Sequence, residues 1–255
     1  MKLTAADYIF NVGANHAAQG NATVMRYDLW SAFHNQAGLA HLQTINAGFY
    51  HESRFMMKEM GTQAFVFALP TTSGTFATSF ADFGYKKYYE QKAGLAFAKS
   101  FGEKFSAGVQ FDYFRTYIAE YDEKSNFTFE LGIISEPVEH LFIAAHIFNP
   151  IRSSLNSEEL NKIPVVFRVG AGYNVNDKAF ISIETEKDME KAASLKIGLE
   201  WNVIENLKLR GGIGTNPLNT SFGLGYRYKK LNIDMAFTYH PVLGATPHIG
   251  ICYGL

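Results

Sequence analysis

Ser194-Leu195-Lys196-Ile197-Gly198-Leu199-Glu200-Trp201, followed closely by Leu207-Lys208-Leu209-Arg210-Gly211-Gly212-Ile213-Gly214, decides how this chain folds. In both stretches large apolar residues take nearly every second place, and the residues between them are charged or small. Successive side chains of a β-strand point to opposite faces, so each stretch presents one apolar face and one face of charge and glycine. The pattern continues downstream. Phe222, Leu224, Tyr226 and Tyr228 alternate with Ser221, Gly223, Gly225 and Arg227, and Ile233, Met235, Phe237 and Tyr239 with Asn232, Asp234, Ala236 and Thr238. Ile249, Ile251, Tyr253 and Leu255 complete it. It also reaches back through Phe105 to Tyr113, Phe127 to Ile133 and Val165 to Tyr173.

About 14 such segments fit between residues 41 and 255, most near the roughly 9–11 residues that a tilted strand needs to cross a bilayer. The seven prolines fall at or near segment ends, where a missing N–H costs no ladder bond. Tight turns are expected at Phe101–Lys104, Val175–Lys178 and Ile204–Asn206, and longer loops at Asp122–Ser125 and Arg152–Lys162. The charged run Glu184–Lys191 reads as a solvated hairpin tip.

What each face meets follows from what it carries. Asp112, Glu130, Arg168, Glu184, Lys196, Glu200, Arg210, Arg227 and Asp234 share one face with Gly94, Gly108, Gly132, Gly170 and Gly223. A dry soluble core would have to pair every one of those charges, at several kcal/mol for each left alone. A polar lumen accommodates them, while the opposite face suits lipid. Tyr88, Tyr89, Tyr113, Tyr117, Tyr173, Trp201, Tyr226, Tyr228, Tyr239 and Tyr253 lie toward segment ends, as an interfacial aromatic belt requires. The fold class is therefore all-β: a transmembrane antiparallel β-barrel of about 14 strands, in contact with membrane lipid and sited in a bacterial outer membrane.

Composition agrees. Lys and Arg number 23 against 24 Asp and Glu among 255 residues, which excludes the basic excess of a nucleic-acid partner. Mean hydropathy is −0.08 because alternation cancels in the average. No run approaches the roughly 20 apolar residues of a membrane helix. Cys252 is the single cysteine. The opening Met-Lys-Leu-Thr-Ala-Ala-Asp does not read as a signal peptide, so the sequence is expected to be that of a mature exported protein.

Residues 1–40 differ from the rest. They lack alternation and carry Gly13, Ala14, Asn15, Ala17, Ala18, Gly20 and Asn21, yet hold Trp30, Phe33 and Leu39, which a disordered leader would lack. No catalytic site is expected. The eight histidines stand in no nucleophile setting, and no His or Cys spacing suggests a metal. No cofactor is expected either. His146 and His248 fall on the inner face as structural hydrogen-bonding groups.

Asn11-Val12-Gly13-Ala14, then Trp30-Ser31-Ala32-Phe33-His34-Asn35-Gln36-Ala37-Gly38-Leu39-Ala40, resembles the opening of the PorV/PorQ-like family of Bacteroidetes outer-membrane barrels, which are related to FadL-type barrels. Gln36 stands where that family commonly has Pro, and Asn15 where Arg is common. Phe83-Gly84-Tyr85, Ala96–Gly102, Phe148-Asn149-Pro150 and Thr215-Asn216-Pro217 extend the resemblance along the chain. It implies a barrel of residues 41–255 whose lumen is plugged by residues 1–40 as a hatch, with Gly13, Ala14, Trp30, Phe33, Asn35, Gly38 and Leu39 in that role. It further implies a non-catalytic accessory of type IX secretion or surface assembly that binds partner proteins. The alternative is a FadL-like transporter of small hydrophobic molecules, whose ligand a detergent could mimic. Phe76, Phe80 and Phe83 are candidates for an apolar patch near a loop. Outer-membrane barrels commonly end in an aromatic residue, where this sequence ends Tyr253-Gly254-Leu255.

Overall fold

A computed structural model describes residues 9–120, 122–151 and 163–255. Fourteen strands form one closed antiparallel barrel. They are β1 Asn46–Ser53, β2 Gly61–Thr71, β3 Gly74–Tyr85, β4 Tyr88–Ser100, β5 Phe105–Ile118, β6 Asp122–Val138 and β7 Leu141–Phe148, then β8 Val166–Asn176, β9 Ala179–Asp188, β10 Ser194–Ile204, β11 Leu207–Gly214, β12 Asn219–Tyr228, β13 Leu231–His240 and β14 Gly244–Gly254. Each strand pairs with its neighbours in sequence, and β1 closes on β14 with Asn46 opposite Gly254 and Glu52 opposite His248. Closure leaves no ladder edge for lipid to strand without partners.

Burial alternates along the strands as their sequence does. On β10, Leu195, Ile197, Leu199 and Trp201 face outward, while Lys196, Gly198 and Glu200 are buried. The outward rows of the other strands are likewise apolar, for example Ile181 and Ile183 on β9 and Phe222 and Leu224 on β12. The barrel therefore carries its apolar side chains outside, and it is an outer-membrane barrel. Among the described residues no helix is long and apolar enough to cross a membrane.

The two ends differ. The connections after β2, β6, β8, β10 and β12 are the pairs Thr72-Ser73, Glu139-His140, Asp177-Lys178, Glu205-Asn206 and Lys229-Lys230. The opposite end carries Arg54–Met60 after β1 and Met189–Ala193 after β9. Short turns mark the periplasmic end of such barrels and longer loops the extracellular end. Outward aromatics gather at both: Tyr173, Trp201, Tyr226, Tyr228 and Tyr253 near the short turns, Tyr89, Tyr113, Tyr117 and Tyr239 near the long loops.

Several sequence expectations change. Asp122–Ser125 is the start of β6, because Glu123, Lys124 and Ser125 pair with Tyr117, Thr116 and Arg115 of β5. The run from Glu184 is strand as far as Asp188, since its inward carboxylates are matched by cations and the hairpin tip begins at Met189. Tyr88 shares the inner face with Glu90, to which it donates a hydrogen bond, rather than joining the aromatic belt. Phe76 and Phe80 lie on the outward row of β3, whereas Phe83 turns inward and packs beneath Arg54. The loop expected at Arg152–Lys162 lies outside the described residues.

Candidate functional site: the N-terminal segment and the inner wall

Residues 9–42 pack against the inward side chains of the wall, built from one short helix and two 3₁₀ turns. The helix, α1, spans Ala14–Ala18. The first 3₁₀ turn, Leu29–Phe33, starts where Asp28 accepts from the Ser31 N–H at 3.2 Å and the Ser31 hydroxyl faces the Asp28 N–H in return. The second, Gln36–His41, starts where the Asn35 side chain accepts from the Ala37 N–H. These caps satisfy groups that so short a turn leaves open.

The segment meets two different walls. Toward β2–β4 part of the inner face is built of small apolar residues, Ala64, Val66, Ala68, Ala77, Ala81, Ala96 and Ala98, which share one buried cluster with Trp30, Phe33 and Leu39. Each such side chain contributes about 1.5–3 kcal/mol by leaving water. Glycines let the main chains touch elsewhere. A methyl group at Gly212 would lie 2.2 Å from the Gln19 carbonyl carbon, and one at Gly132 would lie 1.9 Å from Asn35 Oδ1.

Toward β8–β13 the contact is polar. Glu184 accepts from the consecutive backbone N–H groups of Thr23 and Val24 at 2.8 and 2.9 Å. Arg26 donates to Glu200 at 2.8 Å, and Glu200 also binds Lys208 and Arg210. Arg210 then reaches Asp234. Ser221 accepts from the Gly20 N–H and donates to the Ala18 carbonyl. A separate cluster joins Lys92 to Asp112 and Glu130, while His146 and the Gln36 amide also bond Glu130. Arg168 and Lys196 share Glu186 at 2.8 Å each, and Lys196 lies 3.3 Å from Glu184. Ion pairs this dry hold only where geometry and extra hydrogen bonds offset desolvation, which these chains of shared carboxylates supply.

Gly13, Ala14, Trp30, Phe33, Asn35, Gly38 and Leu39 are all buried in this segment. Gly13 has a φ of 111° and sits under Trp30, a combination that excludes a side chain. Among the charged residues read from the sequence, Asp112, Glu130, Arg168, Glu184, Lys196, Glu200, Arg210 and Asp234 belong to the inner networks. Arg227 stands apart, exposed near the end of β12 and bonded to Asn232. Sequence reasoning missed Lys92, Glu186, Arg26 and Asp28. Two-residue spacing could have found the first two, since Lys92 shares a face with Gly94 and Glu186 with Glu184.

Within the segment, burial pushes the Asp28 carboxyl up. The bonded His16 imidazole, with Arg26 and His34 nearby, outweighs it and holds the group well below the usual carboxylate range. Burial first, then the charges of His16 and Arg168, keep His34 well below the ordinary imidazole range, and its Nε2 bonds the Val12 carbonyl at 2.7 Å.

Two of the hollows beside this arrangement bear on what it could do. One, of about 280 Å³, opens at the short-turn end between the segment and the wall, lined by Arg26, Asp28, Trp30, Lys208, Arg210 and Asp234. The other, of about 310 Å³, lies on the outside across β6, β7 and β8. It is walled by Leu131, Ile133, Ile147, Phe167 and Val169 and floored by Gly132 and Ala145. Its inner side is where Asn35 donates to the Ile133 carbonyl at 3.1 Å.

This closed barrel has counterparts among solved structures. The chain shares its fold with FadL-type barrels. It superposes on the toluene transporter TbuX of Ralstonia pickettii with a TM-score of 0.76 at 9% identity, covering 95% of this chain and 98% of that one. The monoaromatic hydrocarbon channel CymD gives 0.75 at 10% identity over 98% and 99%. A FadL homologue of Pseudomonas aeruginosa gives 0.68 at 10% identity over 96% and 99%. Neither a protein-family model nor a curated protein matches the chain.

Proposed function

We propose that this protein is a non-catalytic outer-membrane channel for small hydrophobic molecules, closed at rest by residues 9–42 acting as a hatch. The observation that carries the reading is the outer hollow across β6–β8. Its lining is apolar, it lies on the lipid face, and only Gly132 and its neighbours separate it from Asn35 of the hatch. An apolar solute has little reason to cross the charged interior from end to end, since it would have to part the ion pairs of Arg26, Lys208 and Arg210 for no polar gain. A route through the wall at β6–β7 into the lipid avoids that barrier, and movement of Asn35 would free the inner side of Gly132. The likeness of fold to transporters and channels of toluene and other monoaromatics supports the same class of cargo.

The secretion-accessory reading rests on the sequence resemblance, and no feature of the inner wall favours it over transport. The test is uptake of radiolabelled toluene by cells of a host lacking its own channel. Ala145→Trp would fill the outer hollow from the lipid side without touching the hatch. Uptake that depends on the protein and falls strongly in Ala145→Trp supports the reading. Unchanged uptake in a variant that folds and inserts normally would overturn the lateral route, and no protein-dependent uptake at all would overturn the transport role.

A further inference from the structure

The long-loop end carries a feature that transport does not use. Of seven methionines in the chain, three lie within the five residues Met56-Met57-Lys58-Glu59-Met60, in the connection between β1 and β2. Buried methionine fills gaps in a core, but here Met56 is 66% exposed and Met57 48%. The loop's fold holds them there. Phe55 and Met56 both take left-handed backbone conformations, with φ of 54° and 58°, unfavourable for any residue with a Cβ. The Phe55 N–H is tied to Thr246 Oγ1 at 3.1 Å and its ring lies edge-on to His240, so Phe55 anchors the loop and Met56 is turned outward. The next turn, Lys58–Met60, is closed by the Met60 N–H donating to the Met57 carbonyl at 3.1 Å. That hydrogen bond closes the turn, so the Met57 and Met60 Cα atoms stand within about 7 Å of each other at its two ends. The His51 ring of β1 lies over Gly61, the residue that follows Met60, its Cε1 3.8 Å from where a Cβ would stand.

We propose that Met56, Met57 and Met60 form a binding site for a soft monovalent metal ion of the Cu(I) and Ag(I) class, with His51 as a nitrogen ligand at its edge. Thioether sulfur and imidazole nitrogen are the donors such ions select, and hard divalent cations prefer the carboxylate and carbonyl oxygens this cluster does not concentrate. The ligands are neutral, so the site needs no deprotonation. Lys58 and Glu59 point their charges to solvent from the same turn. The site is independent of the transport reading, because the loop touches neither the hatch nor the outer hollow.

The test uses the full chain refolded in detergent micelles, with methionine methyl groups labelled with ¹³C, titrated with Ag(I). The expected result is a joint shift of the Met56, Met57 and Met60 methyl signals that saturates at one ion per chain, while those of Met25, Met189 and Met235 stay in place. Met57→Leu with Met60→Leu keeps side-chain volume and should abolish that saturation, and His51→Gln should weaken it. Cys252→Ser should leave it unchanged. No shift in the cluster, a response shared with exposed Met189, or saturation retained in the double Leu variant would each overturn the proposal.

Discussion

Single side chains set how tightly residues 9–42 are held against the wall. Gly38 is the sharpest case. A methyl group there would stand 2.2 Å from the Arg26 carbonyl oxygen and 2.5 Å from Ser31 Oγ. Gly38→Ala must therefore push the two 3₁₀ turns apart, at a cost of about 1–3 kcal/mol for overpacking. We expect faster proteolysis within residues 20–42 and altered Trp30 fluorescence, with the wall intact by its resistance to unfolding in cold SDS. Asp28 and His34 make the hatch acid-sensitive. Both bind fewer protons folded than unfolded, so stability is lost as pH falls. The loss begins below about 6.5 through His34 and grows below about 4 through Asp28. Once the intrinsic slowing of base-catalysed exchange is divided out, the protection of the amides of residues 12–35 should fall between pH 7.5 and 5, and His34→Gln should remove the earlier part of that change.

Between elements, the hatch is joined to the wall by contacts that sequence distance conceals. Glu184 lies 161 and 160 residues from the two amides it binds. Glu184→Gln keeps the shape and removes the charge, leaving Lys196 to Glu186 alone. A hydrogen bond to a charged group is worth about 1.5–3 kcal/mol, so exchange of the Thr23 and Val24 amides should accelerate while that of β9 and β10 holds. The strands themselves were legible, because a period of two along Leu195–Trp201 or Phe222–Tyr228 leaves one arrangement that keeps charge out of lipid. The tip after Asp188 was misplaced because six of the eight residues of Glu184–Lys191 are charged, and only the cations of β8 and β10 reveal that Glu184 and Glu186 face inward. Arg26 and Asp28 were unreadable for a related reason. Residues 9–42 have no period, so which side chain meets Glu200 or His16 depends on the shape of a lumen that exists only once all strands have paired.

For the whole molecule, the division of the inner face matters most. Alanines on β2–β4 seat the apolar side of the hatch, and carboxylates on β6, β9 and β10 hold its polar side through amides and Arg26. One segment thus meets the wall by two kinds of contact. Lipid constrains only the outer face, and the inner face carries charge because its side chains pair with one another and with residues of the N-terminal segment. The central claim is that this segment, and not the wall, closes the barrel. Single-channel recording in a planar bilayer tests it, comparing the intact chain with a variant lacking residues 1–42, each first shown to migrate as a folded barrel. The account expects silence from the intact protein and steady ohmic conductance from the shortened one. Steady conductance from the intact protein, or silence from a folded and inserted variant without its hatch, would contradict it.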